Sequence, residues 1–176
     1  MDNLDEYLDE LGTNPCISIV GDPRLSSYGG KGFERRLRRR VRKRVAHLIK
    51  LVKPGKVYVV PNKGVNSLSL RLLSTMGVPT TVVNPYSGYC DNMGILDKLN
   101  LSKISKKCNI ITLARETPDD LVSELGLIRK TMRFIAERSQ LVIYVHGEEK
   151  SPEIKESLDA LMSVGGGIVI CVNYDS

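Results

Sequence analysis

Four segments of the sequence place glycines, cations and small polar residues at spacings suited to holding a phosphate. The first is Gly21-Asp22-Pro23-Arg24, followed by Tyr28-Gly29-Gly30-Lys31-Gly32. Glycines let backbone amides approach an anion closely, and Arg24 offers a guanidinium able to grip a phosphate through two parallel hydrogen bonds. The spacing matches neither GxGxxG nor a Walker loop. The second segment, Pro61-Asn62-Lys63-Gly64-Val65-Asn66-Ser67, again joins a cation, a glycine and a small polar helix opener. In the third, Asn84-Pro85-Tyr86-Ser87-Gly88-Tyr89, the tyrosine rings either stack on a base or sugar or shield the end of a sheet. The fourth is His146-Gly147-Glu148-Glu149-Lys150-Ser151. Together these give Gly21, Asp22, Arg24, Lys63, Gly64, Asn66, Pro85, Tyr86, Ser87, Gly147, Lys150 and Ser151 as candidate ligand residues.

Other chemistries have thinner support. His47 and His146 stand alone, and Cys16, Cys90, Cys108 and Cys171 are widely spaced, with no CxxC pair. This is not the spacing of zinc ligands, so neither a metal nor a cofactor is expected. A separate cationic feature is the stretch Phe33 to Lys53, whose ten Lys/Arg and one Glu give a local +9 in a chain of net charge +6. Arg35, Arg36, Arg39, Arg40 and Lys43 are the candidates for contacting nucleic-acid phosphates. An amphipathic helix also turns its charges outward without any partner, and no aromatic residue interleaves with these arginines to stack on bases. The acidic N-terminus is an alternative partner for the same cations.

The elements that position these residues alternate. Short β-branched runs at Cys16–Val20, Val57–Val60, Thr80–Val83, Asn109–Leu113, Leu141–Val145 and Gly167–Val172 read as strands covered on both faces. Between most of them lie helical patterns. Phe33, Leu37, Val41, Val45, Leu48, Ile49 and Val52 form an apolar stripe that Pro54-Gly55 stops. Asn66 or Ser67 opens a second helix ending before Gly77. A third is expected from about Pro118 to Glu137, capped by Thr117, with Leu121, Leu125, Ile128, Met132 and Ile135 inward. Ser151-Pro152-Glu153 opens a fourth, to Met162. Strand and helix in alternation predict an α/β fold, a doubly wound and mostly parallel sheet of Rossmann-like type, whose ligands sit beyond the carboxyl ends of the strands.

Residues 1–12 carry five acids with Leu4, Tyr7, Leu8 and Leu11 at helical spacing, a short acidic leading helix before a single domain over 13–176. At 176 residues, with 41% hydrophobic and 26% charged residues, the composition is that of one ordinary globular fold. No apolar run nears the ~20 residues of a membrane span, the start lacks a secretory profile, and the cysteines read as free thiols. A reduced, cytoplasmic protein without a membrane partner is the expectation.

The order of "GDPR", "VVPNKGVNSLSLRLLSTMGVPTTVVNP" and "MRFIAERSQLVIYVHG" resembles the SLOG superfamily, Rossmann-like proteins that include cytokinin-activating phosphoribohydrolases, YpsA-like proteins and the DNA-processing protein A domain. Gly21 and Arg24 take the places of its first loop, and Lys63-Gly64-Val65-Asn66 and Met76-Gly77-Val78-Pro79 those of its second. The resemblance covers the chain from Cys16 onward. It implies binding of a nucleotide or nucleotide-derived ligand, signalling nucleotides included, by a sensor or sequestering protein in antiviral conflict, and it implies a homo-oligomer. It also implies an alternative, a nucleoside-monophosphate phosphoribohydrolase that cleaves an N-glycosidic bond. There Glu153 would act as acid or nucleophile, with Arg133 and Lys150 on the phosphate. Nucleic-acid binding through the arginine-rich helix is the third reading.

Overall fold

The computed structural model describes residues 4–21, 31–62, 64–93, 98, 101–104, 106–146, 159–163 and 168–173, with backbone alone at 4–7, 31–34, 37, 92 and 173. Six strands, β1 Cys16–Gly21, β2 Lys56–Val59, β3 Thr80–Tyr86, β4 Asn109–Ala114, β5 Leu141–His146 and β6 Ile168–Asn173, form one sheet in the order β4-β3-β2-β1-β5-β6. Every neighbouring pair is parallel. The fold is thus a Rossmann-like α/β sheet flanked by helices.

The helices are α1 Leu4–Leu11, α2 Lys31–Val52, α3 Val65–Met76 and α4 Leu121–Ala136. The chain steps from β1 through β2 and β3 to β4 in one direction, with α2 and α3 on one face. It then returns through α4 to β5 on the other side of β1. Two buried clusters follow from this winding. Ile17, Ile19, Val57, Val59 and Val82 meet α2 and α3, whereas Val20, Tyr58, Val83, Val142 and Tyr144 meet α4.

Sequence dictates each helix locally. On α2, Val41, Val45, Leu48, Ile49 and Val52 are buried, and each side chain so placed contributes about 1.5–3 kcal/mol, which is how so charged a helix docks on a sheet. Lys53, with φ 49°, ends it, its amide bonding the Ile49 carbonyl at 2.9 Å. Gly77, with φ 69°, ends α3 in the left-handed conformation that favours glycine.

Several expectations are corrected. The start of α4 is Leu121, not Pro118, because Asp120 caps it: its Oδ1 accepts the Ser123 amide at 2.7 Å. That bond holds the Asp120 carboxyl below its ordinary range. Thr117 instead donates its hydroxyl to the Ser87 carbonyl at 3.1 Å, tying the loop before α4 to the end of β3. Leu121, expected inward, is 67% exposed. Nor is β4 covered on both faces, since it is an edge strand with mainly exposed or half-buried residues. The β3–β4 connection, which showed no helical pattern, contains a 3₁₀ turn at Tyr89–Asn92 and a helical stretch at 101–104. Of the fourth expected helix, 159–162 is described and helical. No helix among the described residues is long and apolar enough to cross a membrane.

Candidate functional site

In a parallel sheet each helix runs back against its strands, so the first turns of α2, α3 and α4 lie toward the carboxyl ends of the strands. The direction of winding reverses between β1 and β5, which opens a crevice at their carboxyl ends. Gly21 closes β1 at that switch, paired with Val145 of β5. A Cβ on Gly21 would lie 2.5 Å from Cβ and Cγ1 of Val65 and 2.8 Å from the Val145 carbonyl oxygen. Only a glycine lets the start of α3 pack this close to the switch point.

The first turn of α3 is suited to an anion. Gly64 stands at its N-cap with φ 69°, no side chain among the described residues caps the helix, and no acidic residue occupies the first turn. The leading amides of a helix lack intrahelical acceptors and carry the positive end of its dipole. Asn66, one residue inside, is 2% exposed, and its Oδ1 has no hydrogen-bond partner among the described residues. Gly21, Gly64 and Asn66 are therefore brought together.

At the end of β3 the tyrosine alternative resolves toward structure. Tyr86 is 4% exposed, its hydroxyl donates to Glu124 Oε1 at 2.8 Å, and its ring meets that of Tyr89 edge-on at 5.2 Å. It offers no open face for a base. Pro85 is buried, while Ser87 is exposed, with its amide bonded to the Ala114 carbonyl at 2.9 Å. His146 ends β5 half-buried, its ring 5.5 Å from that of Tyr144.

The arginine helix presents two faces. Arg36, Arg39, Arg40 and Lys43 are exposed and, at 100° per residue, stand opposite the buried stripe. Arg35, Arg38 and Arg42, also exposed, lie on the flank.

Searches of known proteins give a fold and no more. No family model and no curated protein sequence matches the chain. The structure is similar to that of DNA processing protein A from Streptococcus pneumoniae, at 12% identity and a TM-score of 0.50, covering 94% of this chain and 60% of that one. It is also similar to DNA processing protein A from Helicobacter pylori, whose structure reports a single-stranded DNA binding mode, at 12% identity and a TM-score of 0.52, covering 94% of this chain and 78% of that one. The fold is shared with DNA processing protein A. The chain spans about three fifths of the length of the S. pneumoniae protein.

Asp22, Arg24, Lys63, Gly147, Lys150, Ser151 and Glu153 lie outside the described residues. Arg133 is described, exposed, and in the last turn of α4. Twelve residues beyond Leu121 it stands about 18 Å down the helix, toward the amino ends of the strands. The structure does not bring it to Gly21 and Gly64. Val65, Glu124 and Asp120 were not among the sequence candidates. Val65 stood within the second loop of the resemblance but had no role of its own, whereas Asp120 preceding a helical pattern was a readable cap.

Proposed function

We propose that the chain binds a nucleotide or nucleotide-derived ligand, its phosphate seated at the first turn of α3 beside Gly21, in the crevice between β1 and β5. The observation that carries this reading is the close approach of Val65 to Gly21, which brings an uncapped helix start to the switch point of the sheet. Gly64 and Asn66 supply backbone and amide groups there. The loops bearing Arg24 and Lys63 begin at the same edge, which supports their assignment as phosphate cations. A sensing or sequestering role then follows from the resemblance to SLOG proteins.

The test is the melting temperature across a panel of nucleoside mono-, di- and triphosphates and cyclic nucleotides. A ligand that binds only the folded state stabilises it by about 2.7 kcal/mol at a hundred times Kd. A dose-dependent rise with at least one nucleotide supports the reading, and no rise at millimolar concentration rejects it.

A second reading has its own observation. The outer face of α2 exposes Arg36, Arg39, Arg40 and Lys43, a row suited to the phosphates of single-stranded nucleic acid. The fold shared with DNA processing protein A supports it weakly. Affinity for a labelled oligonucleotide should fall steeply with salt, and binding indifferent to salt would exclude this face.

A further inference from the structure

The flank of α2 faces α3 across a cleft of about 170 Å³ that none of the strand-end residues except Gly64 touches. Arg38 and Arg42 line one side. They are four residues apart and so project from neighbouring turns of one helix face. Arg71 lines the opposite side, flanked one turn away on each side by the hydroxyl-bearing Ser67 and Thr75. Leu68 and Leu72 supply the apolar part of the wall. Among the described residues no carboxylate lines the cleft.

Arg42 and Arg71 put guanidinium groups on both walls, so one anion can bond to more than one of them at once. The Thr75 hydroxyl donates to the Arg71 carbonyl at 2.8 Å, so the guanidinium groups are the donors that the cleft offers. The volume accommodates one or two phosphate groups and is small for a nucleoside as well, because ligand pockets for whole small molecules run to about 300–1,000 Å³. Gly64, where α3 begins with no side-chain cap among the described residues, also lines the cleft, so the start of the helix adds to the same positive field.

We infer that the α2–α3 cleft is a phosphate pocket that takes a pyrophosphate or phosphomonoester group through Arg38, Arg42 and Arg71. It shares Gly64 with the proposed phosphate seat at the start of α3, but its arginines lie on the flank of α2 and on Arg71, and pyrophosphate binding to them is tested without a nucleotide. The sequence candidates for nucleic acid on α2 are Arg35, Arg36, Arg39, Arg40 and Lys43, with no role for Arg71. The structure divides the arginines of α2, setting Arg38 and Arg42 with Arg71 and leaving Arg36 on the outer face.

The experiment is calorimetric titration of the full chain with inorganic pyrophosphate at fixed ionic strength. It uses the wild type, Arg71→Gln, Arg42→Gln, Arg71→Lys and Arg36→Gln. Each is an exposed position, so the folded state is retained and is checked by the melting temperature. Losing one charged hydrogen-bond donor weakens binding about tenfold or more, so Arg71→Gln and Arg42→Gln should each raise Kd by that factor. Arg71→Lys should recover part of the loss, since an ammonium keeps the charge but not the two-pronged geometry. Arg36→Gln removes the same charge from the same helix outside the cleft and should leave Kd within about twofold, a shared long-range field being screened over about 8 Å at physiological salt. A second arm replaces pyrophosphate with a nucleoside diphosphate: a loss in the same variants assigns the pocket to a nucleotide's phosphates, and no loss assigns it to the free anion. Absence of pyrophosphate binding by the wild type overturns the inference. So does an equal loss in Arg36→Gln, which would mean a diffuse basic surface.

Discussion

Val65 stands where a side chain on Gly21 would have to go: a Cβ there falls 2.5 Å from that of Val65, with the Val145 carbonyl oxygen 2.8 Å away on the other side. Neither neighbour is a flexible side-chain end, so Gly21→Ala forces either β1 or the start of α3 to move. Overpacking of this kind costs about 1–3 kcal/mol. Urea unfolding should show a lower midpoint with an unchanged slope. The variant should also lose any nucleotide-induced rise in melting temperature, since the displaced helix start is the proposed phosphate seat.

Gly77 tests a different property of the same helix. With φ 69° and no atom within 4 Å of a Cβ placed on it, the cost of Gly77→Ala is backbone strain alone, about 1–2 kcal/mol. Gly77→Asn should cost less, because asparagine tolerates the left-handed region. Equal stability of wild type and Gly77→Ala in urea would show that α3 ends otherwise than through this residue.

Tyr86 separates a structural tyrosine from a stacking one. Tyr86→Phe removes the bond to Glu124 and should cost about 0.5–1.5 kcal/mol with ligand affinity unchanged. Tyr86→Ala empties a buried site and should cost about 3–5 kcal/mol, by analogy with other aromatic truncations. A loss of nucleotide affinity in a folded Tyr86→Phe would return the residue to the ligand.

Cys90 carries a pH signature. Its thiol, bonded to Asn84 Oδ1, is pushed up to about 11, first by burial and then by the neighbouring Asp91 carboxylate. The thiolate is the reacting form, so alkylation of Cys90 at pH 7–8 should be slow and rise about tenfold per pH unit until near that value. Exposed Cys171 should label first. The folded state holds the Cys90 proton more tightly than the unfolded chain, so this group's contribution to stability is complete below 9.0 and is lost as pH rises toward about 11. Peptide mapping after alkylation at graded pH reads the order directly.

The six strands were legible because β-branched apolar runs separated by helical periodicity leave few alternatives. Coverage of each strand was less so: β4 has the composition of its neighbours, and only the strand order makes it an edge. Thr117 preceding Pro118 has the form of a helix opener, but its hydroxyl bonds the Ser87 carbonyl across the loop, a contact between distant segments that local pattern does not contain. The capping role passes to Asp120 instead. In the site, Gly21 and Gly64 were legible as strand-end glycines. The reason for Gly21 was not, because Val65 reaches it only once α3 has docked. Arg133 was drawn to the site by the resemblance, and its distance along α4 removes it.

The most direct measurement of the central claim follows backbone amide resonances of the chain during titration with a nucleotide that raises its melting temperature. The largest shifts should fall at Gly21, Gly64, Val65 and Asn66, saturating with the same affinity as the thermal response, with small shifts at Arg133 and the last turn of α4. Saturable nucleotide binding that leaves the first turn of α3 unmoved would contradict it.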